Sequence, residues 1–264
     1  MSWKMALPMY NASPRLRAGY EELLAALMDQ AGLEGVGELV REPVLPAFWQ
    51  RTDLLFAQTC GYPYLHLLAG HATLVATPCY DVPGCSGSDY ASAIVVRADG
   101  AIRTLADARG RIAAANDANS NSGMNALRHA AAPLAQDGRF FGRVTWSGSH
   151  AASLRLVREG SADIAAIDCV TYAYLSEEDP SSVAGLAVLD WSASAPGLPL
   201  IAGSAVPGTW VRRLRAALLA PNPRLQAALA PLRIAGFRHV DDAGYARVAR
   251  LEDEARRLGY PGLA

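Results

Sequence analysis

Several things are missing from this 264-residue chain, and each absence removes a class of function. Neither sign of charge dominates: 24 Lys and Arg stand against 25 Asp and Glu, for a formal net charge of -1. The basic stripe that nucleic-acid binding requires is therefore lacking. No apolar run approaches the roughly 20 residues of a membrane-crossing helix. The four cysteines include no Cys-x-x-Cys pair, and His66, His71, His129, His150 and His239 show no i, i+4 pairing, so zinc-type ligand spacing is absent. There is no Gly-x-Ser-x-Gly elbow, no Walker loop and no His-Glu-x-x-His. Internal repeats and low-complexity tracts are absent too. Pro8 and Tyr10 interrupt the short apolar stretch at the N-terminus, so no secretory signal is visible and the chain as written is expected in the cytoplasm, although a trimmed secreted protein would begin the same way. Cys79 and Cys85 flank a turn-like Tyr80–Gly84 loop, which leaves two readings open: a disulfide in an oxidising compartment, or two reduced thiols.

What is present is a globular composition, 51% hydrophobic and 19% charged. Short apolar strands alternate with amphipathic helices, the pattern of an α/β fold with mostly parallel sheets. Strands are expected at 4–9, 38–41, 54–56, 73–77, 90–97, 111–115, 144–146, 163–167 and 200–205. Helices are expected at 14–30, 63–68, 124–132, 151–159, 170–175, 210–219, 223–232 and 243–258, with everything beyond residue 205 read as helical. Two loop-like stretches, 77–89 and 193–199, divide the chain into a discontinuous lobe (1–91 and 196–264) and an inserted lobe (92–195).

In open α/β sheets ligands bind beyond the carboxyl ends of strands, so the residues after each strand are the candidates. Asn116-Asp117-Ala118-Asn119-Ser120-Asn121-Ser122-Gly123 follows the strand 111–115 and precedes a helix. Free N–H groups and the helix dipole there favour an anion, Ser120, Asn121 and Ser122 add side-chain donors, and Gly123 permits close approach; an ordinary N-cap is the alternative. Ser147-Gly148-Ser149-His150 stands before a second helix, with His150 either an anion donor or a capping residue. Asp168 ends an apolar strand and serves as ligand contact, as partner of His150 or as N-cap of the next helix. From the first lobe, Tyr10, Thr59 and Gly61 follow strands, and Tyr90 sits at the crossing between lobes; core or hinge packing is the alternative for each.

These residues resemble a known family. Tyr90–Arg97 is similar to the crossing strand of the phosphate/phosphonate-binding periplasmic proteins of ABC transporters. Leu105–Arg111 resembles their L-x-D-L-K-G-K lead-in, and Asn119–Gly123 their Asn-Ser-Thr-Ser-Gly phosphate loop, with Asn121 in place of Thr. Ser149-His150, Val157-x-x-Gly160-x-Ala162-Asp163 and Asp168 extend the likeness over about residues 85–190. The resemblance implies a two-lobed type II periplasmic-binding fold with a hinged cleft. It implies a small phosphate- or phosphonate-like oxyanion held by Tyr90, Ser120, Asn121, Ser122 and His150, no cofactor and no metal. It further implies an ABC permease as partner and a periplasmic location. Two other functions suit the same architecture: an enzyme using His150 and Asp168 as acid/base with Cys169 or Cys60 as nucleophile, and a sensor whose closed form engages a partner.

Overall fold

The computed structural model describes residues 2–263, so the outermost positions of the expected lobe boundaries, 1 and 264, lie outside the described residues. In chain order the elements begin β1 (Trp3–Ala6), α1 (Pro14–Gln30), β2 (Gly37–Leu39), β3 (Leu54–Gln58), α2 (Gly61–His66) and β4 (Ala72–Tyr80). Next come β5 (Cys85–Ser86), β6 (Asp89–Tyr90), β7 (Ser92–Arg97), β8 (Ile112–Ala115), a wide turn over Asn121–Asn125 that runs into α3 (Ala126–Ala131), and β9 (Arg143–Trp146). Then follow α4 (His150–Arg158), β10 (Ile164–Asp168), α5 (Cys169–Glu178), β11 (Leu186–Trp191), β12 (Ala195–Pro196) and β13 (Leu200–Gly203). The chain ends with α6 (Gly208–Leu219), α7 (Pro223–Leu229), β14 (Ile234–Arg238) and α8 (Asp242–Arg257).

The chain forms two compact units. Unit 1 comprises Met1–Asp81, Ser86–Asp89 and Pro196–Ala246, and unit 2 comprises Val82–Cys85, Tyr90–Ala195 and Arg247–Ala264. Unit 1 is built on a six-stranded sheet of order β14-β4-β13-β3-β1-β2. Its helix α1 follows directly from local chemistry. Ser13 accepts the Leu16 N–H at 3.1 Å, Pro14 supplies a preset first turn, and Leu16, Tyr20, Leu23, Leu24 and Leu27 bury one face. Phe48, Trp49, Leu54, Tyr64, Ile201 and Tyr245 are among the buried core of this unit.

Unit 2 is built on a five-stranded sheet of order β11-β7-β10-β8-β9. Strands β8, β9 and β10 are parallel neighbours, whereas β7 runs antiparallel to both β10 and β11. The sheets are thus mixed rather than mostly parallel, because β7, β13 and β14 run antiparallel to their neighbours. Two strands escaped the sequence reading: β14 lies where only helix was expected, and β11 is absent from the expected list. Both are short segments whose burial alternates weakly (β14 is buried only at Ile234), so their pairing partners rather than their own pattern make them strands.

Residues 247–263, expected with the first lobe, pack on unit 2. Val248, Leu251, Glu252 and Ala255 recur at i, i+3, i+4 and i+7 on one buried face of α8. Ala255 and Tyr260, both at 0% exposure, complete a cluster with Ile94, Leu127, Ala131, Phe140 and Ile164. Of the two readings for Cys79 and Cys85, the reduced one holds: all four cysteines are thiols, and the sulfur facing Cys85 is that of Cys169. Cys79 belongs to β4 of unit 1, paired opposite Gly236, while Cys85 belongs to unit 2. Among the described residues no helix is long and apolar enough to cross a membrane, and no group of three or more side chains is placed to hold a metal.

Replacing Tyr260 with Ala removes a fully enclosed ring from that unit 2 cluster and is expected to cost roughly 3 kcal/mol. Urea denaturation measures the loss. Hydrogen exchange should quicken in α3 and β8 and stay unchanged in β1–β3; equal quickening in both units would contradict the placement of the tail.

Candidate functional site

The site begins with strand register. Ile112–Ala115 pairs in parallel with Arg143–Trp146, residue against residue, so both strands end together. The turns that follow are then tied to one another: Ser147 N–H donates to the Ala115 carbonyl at 2.9 Å and Gly148 N–H to the Asn116 carbonyl at 3.0 Å. β10 runs parallel on the other side of β8. β7 is antiparallel to β10, with Ser92 opposite Asp168, so its amino end meets the carboxyl ends of its neighbours. That reversal brings Tyr90 to the same edge as the two turns.

The turn after β8 is not an ordinary helix start. Asn125 N–H donates to the Ser120 carbonyl at 3.0 Å, an i to i+5 closure that widens the coil over Asn121–Asn125. Such wide turns are common at functional positions. Ser120 caps the turn, its Oγ accepting from Gly123 N–H at 3.0 Å, which leaves the hydroxyl hydrogen to donate elsewhere. Ser122 Oγ lies 3.5 Å from Ser120 Oγ and 2.9 Å from His150 Nε2. Asn121 Nδ2 donates to Tyr90 Oη at 3.1 Å. Tyr90, Ser120, Asn121, Ser122 and His150 therefore converge as the sequence predicted, and the three turn residues are 5%, 2% and 4% exposed.

His150 is the first residue of α4, whose cap is Ser149, with Oγ accepting from Ala152 N–H at 3.1 Å. The residue keeps some exposed surface, yet its Nδ1 is enclosed with no hydrogen-bond partner. Burial pushes the imidazole down from 6.5 to about 4, so it is neutral near pH 7. When Nε2–H donates to Ser122 Oγ, the serine hydrogen is freed for an incoming acceptor.

Sequence reasoning assigned no role to Asn116, although it opens the candidate turn, and passed over Asn125 and Arg128. Asn116 has an enclosed Oδ1 without a partner, and a side chain on Gly123 would collide with that amide. The close approach expected at Gly123 is thus made by Asn116. Asn125, fully buried, donates to Asn121 Oδ1 at 2.9 Å and to the Val248 carbonyl at 3.0 Å, and accepts from Arg128 at 2.6 Å. Arg128 also donates to the Pro261 carbonyl at 3.0 Å and lies 3.6 Å from Glu252, which Arg256 approaches to 2.6 Å. The spacing of Asn121, Asn125 and Arg128 on consecutive turns was a legible signal; their partners in the C-terminal tail were not.

Asp168 is an N-cap. Its Oδ1 accepts from Val170 N–H at 2.8 Å and Thr171 N–H at 3.1 Å, so one of its two oxygens is engaged by α5. Tyr10, Thr59 and Gly61 belong to unit 1. Tyr10 is packed in an aromatic cluster, 6.4 Å from Tyr20 and 5.4 Å from Tyr80 between ring centroids. Thr59 is fully buried, its N–H bonded to the Pro199 carbonyl at 3.0 Å, and Gly61 opens α2.

The depressed His150 basicity has a readable sign. Above about pH 6.5 the imidazole is neutral in both folded and unfolded chains. Between about 6.5 and 4 only the unfolded chain takes up the proton, so stability falls as pH is lowered through that window. The contribution is about 1–3 kcal/mol, discounted for the part of the ring that solvent reaches. An NMR titration of ligand-free protein should place the His150 midpoint near 4, and His150→Gln should flatten the acid limb of the stability curve. A midpoint near 6.5 would refute the enclosure of this ring.

No curated protein matches the chain. A binding-protein component of an ABC phosphonate transporter from Pseudomonas aeruginosa superposes with TM-score 0.80 at 20% identity, covering 97% of this chain and 87% of that one. PhnD1 from Prochlorococcus marinus, solved with methylphosphonate, gives TM-score 0.79 at 15% identity over 97% and 98% of the two chains. A protein from Xanthomonas citri bound to ATP gives 0.70 at 19% identity, again over 97% and 98%. These are likenesses of fold, and they identify a two-lobed type II periplasmic-binding architecture. The family model described as ABC transporter, phosphonate, periplasmic substrate-binding protein matches residues 5–245, nearly the whole chain. That family binds solutes and does not transform them, which sets aside the enzyme reading. The chain belongs to the phosphonate-type periplasmic substrate-binding proteins of ABC transporters.

Proposed function

We propose that this protein captures a small phosphonate or phosphate and that the oxyanion is held in unit 2 by Ser120, Asn121, Ser122, Tyr90 and His150. One observation carries the reading: a capped, widened helix start places two buried serine hydroxyls beside an imidazole whose Nδ1 has no partner. A tetrahedral dianion supplies acceptors for such a cluster. The Ser120 and Ser122 hydroxyls donate to its oxygens, and the positive end of the helix dipole favours its charge. Asn121 is held by Tyr90 and Asn125, so its amide is presented in a fixed orientation. The anion also reverses the protonation preference of His150. Enclosure disfavours the imidazolium in the empty protein, and a neighbouring negative charge restores it. Binding is thereby coupled to proton uptake.

The family description supports a periplasmic location and delivery to an ABC permease, and we include both in the proposal. Methylphosphonate in the Prochlorococcus marinus protein supports the ligand class, and ATP in the Xanthomonas citri protein places larger phosphoryl compounds among the ligands to test.

Isothermal titration with phosphate, methylphosphonate, sulfate and ATP tests the assignment. A phosphoryl or phosphonyl compound should bind with micromolar or tighter Kd, and Ser122→Ala and His150→Gln should each weaken it by at least about tenfold with the fold intact. The bound ligand should raise the His150 midpoint by more than about one pH unit. Affinities no tighter than about millimolar across the panel, or variants that bind as well as the parent, would overturn the proposal.

A further inference from the structure

A second pair of side chains in unit 2 is placed for chemistry of a different kind. Cys85 Sγ and Cys169 Sγ lie 3.4 Å apart. Their approach is built by the backbone around them. Cys85 N–H closes a turn onto the Val82 carbonyl at 3.1 Å, Ala91 N–H donates to the Gly84 carbonyl at 2.8 Å, and Cys169 N–H donates to the Ala91 carbonyl at 3.3 Å. Ala91 thus joins the 82–85 segment to the start of α5. Gly84 makes the closeness sterically possible. Its φ is +91°, and a Cβ there would sit 2.8 Å from Cys169 Cβ and against the Trp191 ring.

We propose that Cys85 and Cys169 are a redox site that closes to an intramolecular disulfide when the protein meets a disulfide oxidant. Disulfide sulfurs are about 2.05 Å apart, so closure needs an approach of little more than 1 Å, within reach of side-chain rotation. The two thiols are unequal. The hydrogen bond to Cys85, burial and the neighbouring Asp168 carboxylate all oppose ionisation of Cys169, whereas Cys85 is partly exposed. Cys85 is therefore the entry point. Its thiolate attacks one sulfur of the oxidant disulfide, breaking that bond, forming a mixed disulfide and releasing the first thiolate. Cys169 then gives its proton to solvent base and attacks the Cys85 sulfur, expelling the second thiolate. Two protein thiols are oxidised and one oxidant disulfide is reduced to two thiols. The closed bond ties the 82–85 segment, through which the chain passes between its units, to the start of α5.

The full-length protein, purified reduced, is incubated with glutathione disulfide, denatured, alkylated, digested and mapped. The expected product is a Cys85–Cys169 cross-linked peptide, about 2 Da lighter than its two reduced parts and released by dithiothreitol, with Cys60 and Cys79 alkylated. The oxidised form should melt at least about 5 °C above the reduced form, a difference that Cys85→Ser and Cys169→Ser each abolish. Cys85 and Cys169 that remain alkylatable after oxidation, or a Cys79–Cys85 cross-link in their place, would overturn the proposal. Its outcome is independent of ligand titrations, so it stands or falls apart from the function proposed above.

Discussion

The register that sets Ala115 opposite Trp146 and ties Ser147 to the Ala115 carbonyl is the constraint from which the site descends. Two parallel strands of matched length end side by side, and each hands its chain to a helix start. The serine-rich turn and the histidine turn then have no freedom to separate, and Ser122 and His150 meet at 2.9 Å. A shift of one residue in that pairing would turn each alternate side chain to the other face and dissolve the cluster. The antiparallel β7 contributes differently, bringing an amino end, and with it Tyr90, to an edge otherwise made of carboxyl ends.

Behind the turn stands a buried polar chain. Tyr90, Asn121, Asn125, Arg128, Glu252 and Arg256 follow one another through hydrogen bonds and ion pairs from the site to α8. A cation as enclosed as Arg128 is tolerable only when paired, and the carboxylate of Glu252 and the carbonyl of Pro261 supply that pairing. The C-terminal residues therefore do more than cover an apolar surface. They satisfy the groups that hold Asn121 still, and rigid donors lose less on binding than mobile ones.

The site itself is assembled from neutral donors, a helix start and one imidazole. Under the function proposed above, the same burial that keeps the imidazole uncharged makes it responsive to an arriving anion. Nearby, Asp168 and Cys169 show how similar placement leads elsewhere. Both sit at the end of a neighbouring strand, yet one carboxylate oxygen caps α5 through two backbone N–H groups and the thiol is turned to Cys85. Position at a strand end marks a candidate; the hydrogen-bond partners decide its role.

The amino-acid pattern by itself determined the α/β class, helix α1 to its end residues, and the Asn119–Gly123 turn, because those features depend on caps, prolines and periodicity within a few residues of one another. The convergence of Ser120 and Ser122 with His150 was also legible, since each follows a strand whose end is marked by polar residues and glycine. Tertiary structure alone decided the rest. Strands β11 and β14 exist because partners offer unpaired edges, and the tail belongs to unit 2 because Val248, Glu252 and Tyr260 find their contacts there. Asn116 and Asn125 became part of the site, and Cys85 met Cys169 rather than Cys79, through contacts between segments far apart in the chain. Local chemistry writes turns and caps, but pairing between distant segments is a choice among competitors that only the whole packed chain resolves.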